Sequence, residues 1–142
     1  MTEEPLVYLD TSVYLGILLG ERPALKLLPA LAKKRFCSSI FLFIESERNL
    51  VRLSREGILS EKDYDKAIRQ LKEDQDLFLF KEVTADLCLT GQFPPIRTPR
   101  SSDLVHLRTA LWFLNNGGLD RFLTLDERQR NAASDLGLPA TL

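Results

Sequence analysis

Two rhythms of apolar residues alternate along the chain. Leu6-Val7-Tyr8-Leu9, Phe36-Cys37-Ser38-Ser39, Leu77-Phe78-Leu79-Phe80 and Phe122-Leu123-Thr124-Leu125 are short runs that read as strands, and the first stops at the helix-capping residues Asp10-Thr11-Ser12. Between these runs apolar positions recur every three to four residues, the spacing of one helical face. A brief helix extends to Leu19, and a segment opened by Pro23 runs to Lys33-Lys34-Arg35, kinked or divided at Pro29. The stretch from Phe41 to Glu56 reads as a helix ended by Gly57. Ser60-Glu61-Lys62-Asp63, close to a capping box, opens another whose core face is Tyr64, Ala67, Ile68 and Leu71. Thr84 caps a short helix through Leu89, and a loop with Gly91, Pro94, Pro95 and Pro99 follows. It leads to a helix capped by Ser101 or Ser102, with Leu104, Leu107, Leu111 and Leu114 as its apolar face and Gly117-Gly118 as its stop. A last helix runs from Asp126 through Leu136 to Gly137. Strands alternating with helices predict an α/β fold, a mainly parallel sheet covered on both faces, because parallel neighbours need crossover connections. No linker, repeat or low-complexity tract interrupts the pattern, so residues 1–142 read as a single domain.

The charge is nearly balanced, 19 basic against 20 acidic side chains. A nucleic-acid partner would therefore have to meet a local basic surface. Cys37 and Cys88 lack the spacing of a zinc site or a disulfide framework and read as small buried residues in a reducing interior. Glu3 and Glu4 stand where a signal peptide would be basic, and no apolar run reaches membrane-spanning length, so the expectation is a soluble cytoplasmic protein.

The candidate chemistry lies in four acids. Open parallel sheets hold ligands beyond the carboxyl ends of their strands, the edge at which Asp10 and Asp126 stand. Asp103, at the amino end of its helix, and Glu45, in the first turns of its own, can join them, positions the helix dipole favours for carboxylates. For each aspartate taken alone, helix capping is the better reading. Glu45 is harder to explain that way, because Phe41, Phe43 and Ile44 point to a largely buried stretch where an unpaired carboxylate would be costly. Glu47 competes with it, but positions two apart on a helix face differently, so only one can point at the strand ends. Four converging carboxylates would raise one another's pKa unless cations neutralised them. Hard oxygen ligands suit Mg²⁺ or Mn²⁺, the ions that serve phosphodiester hydrolysis.

These motifs resemble those of the PIN-domain family, and in particular its small single-domain ribonucleases, the toxins of type II toxin–antitoxin pairs. VYLDTSVYLG is similar to the family's opening strand with D-T/S-S. SIFLFIE is similar to its second motif, a serine at a strand end followed six residues later by an acid, which selects Glu45 over Glu47. DLVHLRTA, from Asp103, resembles D-x-x-H-L-x-x-A, and FLTLDERQRNAASDLGLPA resembles the closing T-x-D with its alanine-rich helix and L-G-L. Each motif alone is weak; four in order, each beside an acid and together covering nearly the whole chain, are specific. The resemblance implies that Asp10, Glu45, Asp103 and Asp126 are catalytic and surround Mg²⁺ or Mn²⁺. Thr11 and Ser12 would support them, a hydroxyl there bonding a carboxylate or a water, or else capping the next helix. His106, the only histidine, lies one turn beyond Asp103 and tempts a general-base role. In the family this position belongs to the packed helix, so it reads as structural. Arg108 departs from the family, which more often has a small residue there, and the loop from Gln92 to Ser102 either shapes substrate access or merely connects two helices.

RNA would need cations near the acids. Candidates are Arg48, Arg52 and Arg55, at helical spacing after Glu45, with Arg97, Arg100, Arg128 and Arg130. The leading expectation is an endoribonuclease toxin that cuts tRNA or ribosomal RNA, forms a homodimer and is inhibited by an antitoxin protein. The helices around Gly57 would form a clip-like projection of the kind used for such contacts. The alternatives are a housekeeping PIN nuclease without an antitoxin and a catalytically silent PIN-like module that binds RNA or protein. A phosphoacceptor signalling domain ranks last, because no suitable lysine lies near the last strand.

Overall fold

The computed structural model describes residues 4–89, 96–97 and 100–140. Gly91, Gln92, Pro94, Pro95 and Pro99 of the loop before Asp103 lie outside them. Four strands, β1 (Leu6–Leu9), β2 (Arg35–Ser39), β3 (Phe78–Lys81) and β4 (Arg121–Leu123), form one sheet in the order β3-β2-β1-β4 with every pair parallel. Between β1 and β2 lie α1 (Thr11–Leu18), α2 (Arg22–Leu25) and α3 (Leu28–Leu31), and between β2 and β3 lie α4 (Phe41–Arg55) and α5 (Glu61–Asp74). The short α6 (Ala85–Leu89) and the long α7 (Ser101–Asn115) precede β4, and α8 (Glu127–Asp135) follows it.

The unbroken apolar run of β1 has a direct cause: all four of its residues are buried. Leu6 and Tyr8 face one layer, with Phe113, Phe122, Ala132 and Ala133, while Val7 and Leu9 face the other, with Val13, Leu31 and Leu123. A third cluster, Tyr14, Leu42, Leu50, Ala67 and Leu71, joins α1 to the α4–α5 pair. Pro29 does divide its segment, as Pro23 and Pro29 each stand in the first turn of a separate helix. Ser60 caps α5 by accepting the Asp63 N–H at 3.1 Å. Gly57 (φ 72°) and Gly137 (φ 81°) follow α4 and α8 in the left-handed conformation expected of terminators.

Three expectations are corrected. Arg100, not Ser101 or Ser102, is the N-cap residue of α7, with no side-chain cap bond; both serines lie inside the helix. The buried face of α7 is Asp103, His106, Leu107, Thr109, Ala110 and Phe113, so only Leu107 of the four leucines is fully enclosed. Small and polar residues share that face, and the other three leucines are half-buried. Cys37 is buried as expected, whereas Cys88 is exposed, because the five-residue α6 buries only Leu87. Arg108 makes local contacts: its guanidinium donates to the carbonyls of Leu87 (3.1 Å) and Cys88 (2.6 Å), tying the end of α6 to α7. No helix among the described residues is long and apolar enough to cross a membrane.

The winding places the site. From β1 the chain moves outward through β2 to β3, then returns to the far side of β1 as β4. The direction reverses at β1, and the crevice beyond the carboxyl ends of β1 and β4 is where such sheets hold ligands.

Candidate metal centre

Asp10 directly follows β1, with its N–H on the Leu123 carbonyl at 3.0 Å. It occupies the N-cap position of α1, yet its side chain makes no cap bond. Its Oδ2 instead accepts from Ser12 Oγ (3.0 Å) and Thr124 Oγ1 (2.7 Å). Ser12 Oγ also accepts the Leu125 N–H at 3.0 Å, and Thr124 Oγ1 accepts the Asp126 N–H at 3.1 Å, so the ends of β1 and β4 are sewn together around Asp10. Asp126 does cap its helix, Oδ1 accepting from the N–H groups of Arg128 (2.9 Å) and Gln129 (3.5 Å).

Glu45 lies on α4, facing α7. Its Oε1 accepts from Thr11 Oγ1 (2.8 Å) and is 2.6 Å from His106 Nε2. Its surroundings are more open than the sequence implied: Glu45 is half-buried and Ile44 is exposed, while Glu47 points outward. Thr11 and Ser12 therefore bond carboxylates; neither caps α1. Asp103, in the first turn of α7, is buried, and its main-chain carbonyl accepts from Gln129 Nε2 at 2.9 Å. Its Oδ2 is enclosed with no hydrogen-bond partner among the described residues, and Arg100 Nε stands 3.9 Å away.

The electrostatics divide these acids. Burial raises the Asp103 pKa, and the charges of Asp10 and Asp126 add to the rise against the pull of Arg100. Glu45 goes the opposite way from the mutual repulsion expected of all four: burial pushes it up, but the hydrogen bond and charge of His106, then Thr11 and Arg100, outweigh burial and lower it. His106 responds in kind. Burial would lower it, yet the Glu45 hydrogen bond and the charges of Asp10, Glu45 and Asp103 raise it.

His106 is buried, as its place on a packed helix implied, but it also touches the acids, which periodicity gave no means of seeing. Nε2 lies 2.6 Å from Glu45 and 3.8 Å from Asp10 Oδ1, and Nδ1 lies 2.6 Å from the Tyr8 hydroxyl. Thr124 was likewise visible only as the first letter of T-x-D. Among the arginines, Arg100 is exposed and its charge reaches both Glu45 and Asp103. Arg52 pairs with Glu56 at 3.1 Å, and Arg130 donates to the Thr124 carbonyl at 3.2 Å, holding the end of β4. Arg48, Arg55, Arg97 and Arg128 are exposed.

A family model described as the PIN domain matches residues 7–135. The chain belongs to the PIN-domain family. None of the curated proteins compared with it matches. PIN domains are generally metal-dependent nucleases and typically use divalent ions. Among the described residues of this PIN domain, no three His, Cys, Asp or Glu side chains are grouped as a ready-made metal cage. Asp10, Glu45 and Asp126 each have an oxygen turned to protein donors. Mg²⁺ does not ask for a cage, since it is held by one or two carboxylates plus waters and substrate phosphate. The all-oxygen donor set fits such an ion, as does the buried Oδ2 of Asp103, which has no hydrogen bond among the described residues.

Proposed function

We propose that this PIN domain, spanning residues 1–142, is a Mg²⁺- or Mn²⁺-dependent endoribonuclease that hydrolyses phosphodiester bonds. Asp10, Glu45, Asp103 and Asp126 would hold the ion and form the catalytic centre. The observation that carries this reading is Asp103: a buried carboxylate, one oxygen without a hydrogen bond among the described residues, facing the charges of Asp10 and Asp126 beyond the strand ends. A protein has little reason to enclose such a group unless something cationic completes it.

A divalent ion bound there would supply an activated water and stabilise charge on the attacking and leaving oxygens. The chain's own residues do the rest. Ser12 and Thr124 fix one oxygen of Asp10, and Thr11 and His106 fix one of Glu45, so the carboxylates are oriented before substrate arrives. Arg100 sets an exposed guanidinium beside the acids, where it can draw in the phosphate backbone that they repel. Arg48, Arg52 and Arg128 would extend that contact, with Arg52 first leaving Glu56.

The resemblance of the four motifs to toxin ribonucleases supports the finer reading: a cytoplasmic toxin acting on tRNA or ribosomal RNA, working as a homodimer and restrained by an antitoxin protein. Exposed Ile44, Val51 and Ile58, on and just after α4, offer apolar surface for such a partner.

The test is incubation of total RNA with purified protein, with Mg²⁺, Mn²⁺ or chelator, beside Asp103→Asn. The reading expects discrete, metal-dependent fragments that vanish in the variant. Fragments identical in both proteins would refute it, and no cleavage under any condition would favour the silent binding module. Expression that arrests growth, relieved by the product of an adjoining gene, would establish the toxin role; harmless expression would favour the housekeeping nuclease.

A further inference from the structure

The Tyr8 hydroxyl is fully buried at the end of β1 and accepts the backbone N–H of Ser39 at 3.1 Å. It lies 2.6 Å from His106 Nδ1, with the two rings edge to face, their centroids 5.7 Å apart. At the other edge of the imidazole, Nε2 is 2.6 Å from Glu45 Oε1 and 3.0 Å from Thr11 Oγ1. Donor counting fixes the direction of this chain. In a neutral ring, a bare Nε2 facing a carboxylate oxygen at that distance would set lone pair against lone pair, so the ring hydrogen is on Nε2 and Nδ1 accepts from Tyr8. A doubly protonated ring also carries a hydrogen on Nε2. In either state, Nε2–H is directed at Glu45.

Packing alone does not call for these polar groups. Tyr8 stacks on Phe122 with ring centroids 5.2 Å apart and meets Phe113 edge to face, surroundings in which phenylalanine would serve. The polar chain runs instead from a backbone N–H in β2, through two buried rings, to a carboxylate at the site. We infer that Tyr8 and His106 are positioning residues of the acidic centre: Ser39 fixes the Tyr8 hydroxyl, Tyr8 fixes the imidazole, and Nε2–H of His106 holds Glu45 beside Asp10, leaving its second oxygen for a divalent cation. This inference rests on the metal-nuclease reading above.

The test is Mn²⁺ binding to the full chain, followed through the electron paramagnetic resonance of free Mn²⁺, with the melting temperature measured in parallel. Tyr8→Phe and His106→Ala are each expected to weaken Mn²⁺ binding by about tenfold or more, the usual effect of losing an outer hydrogen bond. His106→Gln, whose amide can still donate, recovers part of that loss. Variants that melt earlier but bind Mn²⁺ as the wild type does would overturn the inference and leave the metal reading standing. No Mn²⁺ binding by the wild type would overturn both. Should a variant fail to fold, the wild type decides by itself. Its single histidine gives one pair of ring ¹⁵N signals, and these must show a hydrogen on Nε2; a ring protonated only at Nδ1 would overturn the inference.

Discussion

Asp74 and Asp103 are equally buried, each 8% exposed, and could hardly differ more in their surroundings. Asp74 closes α5 with both oxygens filled: Oδ2 accepts from the Tyr14 hydroxyl at 2.7 Å and Oδ1 from Gln70 Nε2 at 2.8 Å. Burial, with the bond to Asp74, raises the Tyr14 pKa far above its usual value, so that hydroxyl remains a donor throughout the working pH range. Asp103 has an enclosed oxygen with no hydrogen bond among the described residues, and two further acids raise its pKa. Two equally buried carboxylates thus differ in how far their hydrogen bonds are completed among the described residues. Asp74 staples α5 to α1, whereas Asp103, whose Oδ2 has the exposed Arg100 guanidinium 3.9 Å away, would be completed by a metal ion under the proposed function.

The contrast can be broken most forcefully through activity. Asp103→Asn should lower metal-dependent RNA cleavage by about a thousandfold or more, the several kcal/mol that a divalent ion supplies, and Asp10→Asn should do the same. Asp74→Asn should cleave at close to the wild-type rate, and equal losses in an RNA cleavage assay would erase the distinction. Next comes stability. Asp74→Ala leaves the Tyr14 hydroxyl and the Gln70 amide without their acceptor, at a cost of roughly 2 kcal/mol, seen in thermal unfolding as a melting temperature lower by about 6 °C. Asp103→Asn should act in the opposite direction. A carboxylate whose folded pKa is raised destabilises the fold once ionised, so the variant should melt above the metal-free wild type at neutral pH.

A smaller effect follows from Glu45 and His106. The depressed Glu45 contributes stability above its usual pKa of 4.5, lost as pH falls through its folded value. The raised His106 contributes fully below its usual 6.5, lost as pH rises through its folded value. Their joint contribution should therefore be greatest between these two values, and His106→Ala should lose most stability there when melting is followed against pH. Smallest of all, Glu47→Gln should change neither cleavage nor melting; loss of cleavage in that variant alone would reverse the assignment of Glu45.

Much of this was legible because it is local. The run Leu6–Leu9 marked a strand buried on both faces, Pro23 and Pro29 marked two helix starts, and the four acids stood beside their motifs. Tertiary partnership was not. Nothing near His106 in sequence indicates a bond to Glu45, 61 residues away, or to Tyr8, 98 residues away. The leucines of α7 misled for a related reason. A hydrophobic stripe identifies residues able to face a core, but the buried face of α7 also includes Ala110, Thr109 and His106. Among the arginines, the i,i+4 spacing of Arg52 and Glu56 was open to the sequence, whereas the approach of Arg100 to Glu45 on another helix was not.

The central claim is that Asp103 is kept incomplete for a cation, and thermal unfolding with and without Mn²⁺ tests it most directly. A ligand at a hundred times its dissociation constant stabilises by about 2.7 kcal/mol, roughly 8 °C for a domain of this size. The wild type should gain about that much with Mn²⁺ and overtake Asp103→Asn, which starts higher and should barely respond. Equal gains in both proteins, or none in the wild type, would contradict the claim.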